Sequence, residues 1–124
     1  MDLQPEFLAR VHRKLAESGV GNFTCAVGGA GRLPCVSKQF DVVFMVAVFG
    51  ELADQTRFLQ EACRVLKPSG ILSVTEQLPD PDFVSREDLR AAIEGQGFEF
   101  AGIWDTCFGY TTNFRKADVV RSGD

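Results

Sequence analysis

Very few residues in this sequence are of the types that carry out nucleophilic or metal chemistry. His12 is the only histidine, and it lies in a charged stretch where a solvated helix face is the expected role. A Ser-His-Asp or Cys-His mechanism would have to use this one side chain, and nothing else in the sequence supports such a mechanism. No C-x-x-C pair occurs, so we expect neither a metal site nor a disulfide from the four cysteines, Cys25, Cys35, Cys63 and Cys107.

Size, composition and charge exclude several function classes. The 124 residues suit one domain, and 45% hydrophobic with 24% charged residues is an ordinary globular balance. A net charge of −4 argues against a nucleic-acid partner bound through a basic surface. The longest apolar run, 42–49, is far shorter than the roughly 20 residues that a membrane helix needs. The N-terminus carries no secretory signal, so the sequence predicts a cytoplasmic protein without a membrane partner.

Hydrophobic periodicity predicts alternating helices and strands. Pro5 opens a first helix, which Gly19 and Gly21 end. The nearly continuous apolar run 40–48 predicts a strand covered on both faces, which is typical of a parallel sheet. The other predicted elements are strands at 22–27, 71–76, 98–104 and 110–116, a helix at 54–66 that ends in the turn 67–70, and a helix that begins at Ser85 with a capping-box pattern.

These elements predict an α/β fold with a mainly parallel sheet. The loop 105–109 between the last two strands is short enough for an antiparallel hairpin, which is an unusual end for such a sheet. We expect a single domain over residues 1–117, followed by a frayed tail over 118–124.

Five segments in order carry a more specific pattern. The most specific pair is F-D-V-V at 40–43 followed by R-V-L-K-P-S-G at 64–70. The other segments are D-L-Q-P-E-F-L at 2–8, V-G-G-A-G-R-L-P at 27–34, and G-F at 97–98 with F-R-K at 114–116. Together they resemble class I S-adenosylmethionine-dependent methyltransferases of the small-molecule type, which include ubiquinone and menaquinone biosynthesis enzymes. The resemblance implies a Rossmann-like fold, S-adenosylmethionine as the cofactor and a small-molecule methyl acceptor.

The resemblance also implies six cofactor-binding positions. Asp2 is the acid that would bind the ribose hydroxyls, and Leu3 is its neighbour. Gly29 and Ala30 belong to the glycine-rich turn near the adenine, and Met45 and Val46 belong to the fourth family strand. Each position also has a plainer interpretation. Asp2 suits the positive end of a helix dipole, the turn 28–31 could be an ordinary strand-to-helix connection, and residues 45–47 could be sheet core.

The sequence departs from the family pattern in two places. Gly29 replaces an aspartate that accepts a hydrogen bond from adenine. The first family strand and its G-x-G-x-G loop, whose backbone amides approach the cofactor, have no counterpart. In the family's sheet order, 3-2-1-4-5-7-6, the loss of strands 1 and 2 leaves the apolar strand 40–48 with an exposed edge. We therefore expect a homo-oligomer, or pairing with a complementing chain, through this edge.

Two functions stay open on these grounds. The chain could be a truncated methyltransferase domain that is active when another chain or a longer gene product supplies the missing loop. It could also be a catalytically inactive relic that serves as a dimerisation or scaffold module. A different nucleotide-binding α/β protein is disfavoured by the R-V-L-K-P-S-G segment together with the terminal hairpin.

Overall fold

The computed structural model describes residues 5–19, 21 and 31–117, and the chain divides into two compact units between Pro34 and Cys35. The first unit contains helix α1, Pro5–Glu17, which begins and ends close to the predicted residues. His12 is exposed on this helix, as expected for a solvated face. The predicted strand 22–27 and the turn residues 28–30 lie outside the described residues, as does the predicted tail 118–124.

The second unit contains the remaining elements. They are strand β1, Phe40–Val46; a short 3-10 helix, Phe49–Glu51; helix α2, Gln55–Val65; strand β2, Leu66–Gln77; helix α3, Arg86–Glu94; strand β3, Phe98–Asp105; and strand β4, Gly109–Lys116. Both helices begin at a residue whose side chain accepts a backbone N–H of the first turn, as an N-cap does. Asp54 accepts from Arg57, and Ser85 accepts from Asp88 as the sequence predicted.

The four strands form one mixed sheet in the order β1-β2-β4-β3. β1 and β2 are parallel, whereas β4 is antiparallel to both of its neighbours, β2 and β3. This is the expected 4-5-7-6 end of the family sheet, and it confirms the terminal hairpin. The described part of the chain therefore forms a truncated Rossmann-like sheet that has one parallel pair.

The beginning of β2 differs from the prediction. The segment Lys67–Gly70 was predicted as a turn before the strand, but it lies within β2. Leu66 pairs with Phe40 and Ile71 pairs with Val42, so five steps along β2 oppose two along β1. Because Pro68 has no N–H to give to the ladder, the strand bulges here instead of ending, and Ser69 has a φ of 64°.

The core lies between β2, β4 and the two helices. α2 packs on β2, and α3 packs on β3 and β4. Every second side chain of β2 points into this core, from Leu72 through Val74 to Glu76, and each is fully buried. The period of two that buries the apolar residues thus also buries a carboxyl group at the end of the strand.

Arg64, in the most specific sequence segment, has a structural role in this unit. Its guanidinium donates to both carboxylate oxygens of Glu61, at 2.9 and 3.0 Å, and to the carbonyl oxygen of Cys35 at 2.9 Å. The next contacts are main-chain: Lys38 N–H donates to the Arg64 carbonyl and Gln39 N–H to that of Val65. These bonds attach the segment that enters β1 to the end of α2.

Candidate functional site

The carboxyl ends of β1 and β2 lie side by side, because these two strands are parallel and Val46 pairs with Thr75. Ligands of open α/β sheets bind outside the carboxyl ends of the strands. Ala47 follows β1 with a φ of 56°, and its N–H donates to the Thr75 carbonyl at 2.7 Å. The chain then turns into the 3-10 helix. The candidate site therefore lies at this end of the sheet.

Strand β1 exposes apolar side chains along one face. Val42, Phe44 and Val46 are 51%, 73% and 47% exposed, and we call these three residues the β1 stripe. Val48, just beyond the strand, is 39% exposed. Among the described residues β1 pairs only with β2; we call its other edge, with which no described residue pairs, the free edge.

The six predicted cofactor positions divide into two groups. Val46 belongs to the β1 stripe, and Met45, on the alternate face, is half-buried. Both thus lie at the carboxyl end of β1, and their contact with a cofactor stays a prediction. The other four positions lie outside the described residues: Asp2, Leu3, Gly29 and Ala30.

Glu76 is the unusual polar residue of the core. It is fully buried; its Oε1 accepts the Val84 N–H at 2.9 Å, and its Oε2 has no hydrogen-bond partner. Burial raises the pKa of the Glu76 carboxyl above its ordinary value, the Val84 bond lowers it, and the negative charges of Asp80 and Glu51 raise it further. A buried carboxyl with an unpartnered oxygen lowers the stability of the folded protein.

Tyr110 holds the loop next to Glu76. Its hydroxyl donates to the Val84 carbonyl at 2.5 Å, while its ring meets Phe83 edge-on at 5.9 Å between centroids. Burial raises the pKa of the Tyr110 phenol, and the charge of Glu76 adds to this shift. Tyr110 therefore stays a neutral donor, and Val84 is bonded through its N–H to Glu76 and through its carbonyl to Tyr110.

Three further carboxylates come together at the same end of the sheet. Glu51, Asp80 and Asp82 have carboxylate oxygens within 4.8 Å of one another, and we call them the acidic cluster. Sequence reasoning placed Glu51 near the mouth of the site, with a solvated carboxylate as the plainer interpretation, but it missed the grouping with Asp80 and Asp82 and the buried Glu76. A signal for Glu76 was available, since it continues the inward alternation of Leu72 and Val74. No spacing in the sequence links residue 51 to residues 80 and 82.

Comparison with known proteins identifies the family. Residues 1–74, more than half of the chain, match the family described as "Methyltransferase domain". The chain belongs to this methyltransferase family. The match includes β1, α2 and most of β2, and with them the two segments that were most specific in the sequence.

Individual relatives agree with this assignment. The chain is 35% identical over 66 residues to a demethylmenaquinone methyltransferase of Thermotoga maritima, covering 53% of this chain and 29% of the relative. A SAM-dependent methyltransferase of Aquifex aeolicus superposes with a TM-score of 0.86 at 19% identity, covering 93% of this chain and 66% of that chain. The cyclase SpnF superposes with a TM-score of 0.77 at 20% identity, covering 93% and 64%. At these identities the structural matches show the fold.

This chain thus spans less than two thirds of the length of each of these three relatives. The family match and the SAM-dependent neighbour support S-adenosylmethionine as the cofactor of the domain. Val46 and Val48 present exposed apolar surface at the carboxyl end of β1. No helix in the described ranges is long and apolar enough to cross a membrane.

Proposed function

We propose that this chain is part of a methyltransferase that transfers a methyl group from S-adenosylmethionine to a small-molecule acceptor, in the cytoplasm. The observation that carries the proposal is the exposed apolar surface at the carboxyl end of β1, in a chain of the methyltransferase family. The Thermotoga maritima relative is a demethylmenaquinone methyltransferase, which gives one acceptor class to test first, a demethylated quinone.

Methyl transfer needs few catalytic side chains from the protein. When bound, the cofactor supplies a methyl carbon already activated by the neighbouring sulfonium, so binding and in-line orientation of the acceptor do most of the work. Val46 and Val48 would contact the cofactor and exclude water from one side. Ala47 fixes the turn between them through its bond to Thr75. No general base among the described residues is needed for this step.

The remaining cofactor contacts are proposed for residues outside the described ranges. By resemblance, the Asp2 carboxylate would accept hydrogen bonds from the ribose hydroxyls, and Leu3 would lie beside it. Gly29 and Ala30 would lie next to the adenine. The Ala30 N–H would donate to it, whereas Gly29 has no side chain to accept from the adenine amino group.

We further propose that activity requires a complementing methyltransferase segment along the free edge of β1. About a third of the Aquifex aeolicus methyltransferase has no counterpart in this chain, which covers 66% of it. A free strand edge offers unpaired N–H and carbonyl groups to another strand, and the β1 stripe offers apolar surface to whatever packs behind that strand. The partner would thus cover both the edge and the stripe.

Two exposed phenylalanines provide a matched test. Phe44 in the β1 stripe is 73% exposed, and Phe108 in the hairpin loop is 72% exposed. Calorimetry would measure S-adenosylmethionine binding by this chain mixed with the uncovered segment of the Aquifex aeolicus enzyme. We expect micromolar binding by the mixture, its loss in Phe44→Lys and its retention in Phe108→Lys. Absence of binding by the mixture, with both chains folded, would contradict the proposal.

The same free edge supports a second candidate function, a scaffold without catalysis. In that case two copies of this chain would pair through β1. Light scattering would then show a dimer for the protein and for Phe108→Lys, a monomer for Phe44→Lys, and calorimetry would show no S-adenosylmethionine binding in any mixture. The two candidates therefore differ in cofactor binding, while both depend on Phe44.

A further inference from the structure

The two faces of the four-stranded sheet differ in their cover. One face carries Leu72 and Val74, which are fully buried. Helix α3 packs on this face, and the guanidinium carbon of Arg90 lies 4.1 Å from the centroid of the Phe100 ring. On the opposite face the β1 stripe is exposed, and Trp104 of β3 is 55% exposed. The described helices of the second unit therefore leave this opposite face uncovered.

Residues of all four strands lie in rows across the uncovered face. Residues that are directly paired in a sheet point to the same side of it. Two adjacent rows of four consist of Val46, Thr75, Thr111 and Trp104, and of Phe44, Ser73, Asn113 and Gly102. The hydroxyl oxygens of Thr75 and Thr111 lie 2.7 Å apart, which agrees with this arrangement. We call these eight positions the open face.

The open face carries no charged side chain at any of its eight positions. Charge begins in the next row, where Arg115 of β4 is paired with Glu99 of β3. The centre of a protein interface is depleted of charged residues and enriched in aromatic ones, whereas its rim is polar. The open face therefore has the composition of an interface that has charged groups at its border.

Trp104 and Asn113 are neighbours on the open face. A side-chain carbon on Gly102, which pairs with Asn113, would lie 2.9 Å from Cη2 of the Trp104 indole, so the ring lies along the sheet. The Asn113 Oδ1 is buried and has no hydrogen-bond partner. Buried side-chain oxygens are nearly always bonded in folded proteins. An exposed aromatic ring thus lies beside an amide whose hydrogen bonding is incomplete in this chain.

The size of the open face suits helices as its cover. Four strands about 4.8 Å apart make a face roughly 19 Å wide, and a helix is about 10 Å in diameter, so two helices side by side would cover it. Sheets with parallel strands in α/β proteins have helices on both faces. About a third of the Aquifex aeolicus methyltransferase has no counterpart in this chain, and a second helix layer would come from that part.

We propose that two helices of the complementing methyltransferase segment pack on the open face, from the β1 stripe to Trp104 on β3. This inference rests on the proposed function for the identity of the segment, and it extends the contact from the edge of β1 across all four strands. Trp104 would anchor the interface, because tryptophan is enriched among the residues that contribute most to binding free energy.

The fluorescence of Trp104 tests this interface directly, because it is the only tryptophan of the chain. The full chain would be mixed, without cofactor, with the uncovered segment of the Aquifex aeolicus enzyme, and the emission of the same mixture made with Trp104→Phe would be subtracted. We expect emission at shorter wavelength and acrylamide quenching reduced roughly twofold or more, since an indole in an interface core loses its contact with water.

Three outcomes of this experiment decide between the possible covers. Unchanged Trp104 emission in a mixture that associates by calorimetry would overturn the inference and leave pairing along β1 intact. An emission shift that grows with the concentration of this chain alone would assign the open face to a second copy and would also overturn it. A shift in the mixture without S-adenosylmethionine binding would support this interface and contradict the proposed function.

A matched pair of exposed aromatic residues tests the affinity by calorimetry. Trp104→Ala should weaken association with the segment roughly thirtyfold, as at an interface hot spot. Phe108→Ala changes an exposed ring in the hairpin loop, outside the open face, and should leave the affinity within about twofold. The far-ultraviolet circular dichroism of both variants should match that of the unchanged protein, because both side chains are more than half exposed. Equal weakening by the two variants would overturn the inference.

Discussion

Strands β1 and β2 are neighbours in the sheet, yet their surroundings are opposite to what their compositions predict. β1 reads FDVVFMV, and three of its apolar side chains are about half exposed or more: Val42, Phe44 and Val46. β2 contains Lys, Pro, Ser, Thr, Glu and Gln, yet its inward residues are fully buried. The more apolar strand is therefore the less covered one.

The difference shows what strand composition reports. An apolar run such as β1 is typical of a strand that has cover on both faces and a neighbour on both edges. Among the described residues β1 has one neighbouring strand, so its composition suits a larger sheet than the one described here. β2 has strands on both edges, and its alternating pattern agrees with one buried face.

Alanine substitution of one valine in each strand tests this difference, and it has the largest expected effect on unfolding free energy. Val74→Ala in β2 removes two carbon atoms from a fully buried position, which costs about 2 kcal/mol of unfolding free energy once transfer and cavity are counted. Val46→Ala in β1 should cost less than about 1 kcal/mol, since that side chain is already 47% exposed. Both changes lower strand propensity alike, so this effect cancels in the comparison.

Urea denaturation at low protein concentration measures both losses. Equal losses would mean that Val46 is covered in solution, contrary to the described exposure. A loss of stability in Val46→Ala that grows with protein concentration would show that a second copy of the chain covers Val46.

A substitution of Glu76, at the carboxyl end of β2, has an intermediate expected effect on stability, and this effect depends on pH. The pKa of Glu76 is raised in the folded state above its ordinary value of 4.5, so the folded protein holds this proton more tightly than the unfolded chain. The contribution of Glu76 to stability is therefore fully present below about pH 4.5 and is lost as pH rises through the raised pKa. Glu76→Gln keeps an acceptor for Val84 and cannot ionise, so it should remove this fall.

Thermal melts at about pH 4 and about pH 8, without divalent cations, test this sign. We expect Glu76→Gln to gain in melting temperature relative to the unchanged protein as pH rises, whereas Glu99→Gln, at an exposed position, should show no such gain. A gain that is larger at low pH would contradict the direction of the shift.

Sequence reasoning succeeded where the signal was local or periodic. The terminal hairpin, the strand order and the Ser85 cap all followed from alternation, family spacing and capping chemistry. It failed at Lys67–Gly70, where a turn-like composition is absorbed as a bulge because β1 continues to pair on both sides of it. That outcome depends on the partner strand and not on the segment itself.

The candidate site was predictable only in part, for the same reason. Family spacing placed Met45 and Val46 at the carboxyl end of a strand, where the structure has them. The acidic cluster instead depends on how two loops pack, and its members are about 30 positions apart in the sequence, 51 against 80. Nothing in either local segment indicates the other.

The smallest expected effect concerns the surface contact between β1 and β2. Lys67 Nζ lies 3.4 Å from Asp41 Oδ1, with the two side chains 49% and 82% exposed. Such a pair is worth less than about 0.5 kcal/mol, because solvent screens it and two flexible side chains must be held. Asp41→Asn should therefore barely change the urea midpoint, and raising the salt concentration should abolish what difference there is. A loss above about 1 kcal/mol would show that this contact anchors β1. In that case the main-chain hydrogen bonds to β2 alone would be too weak to hold β1, which pairs with no other described strand.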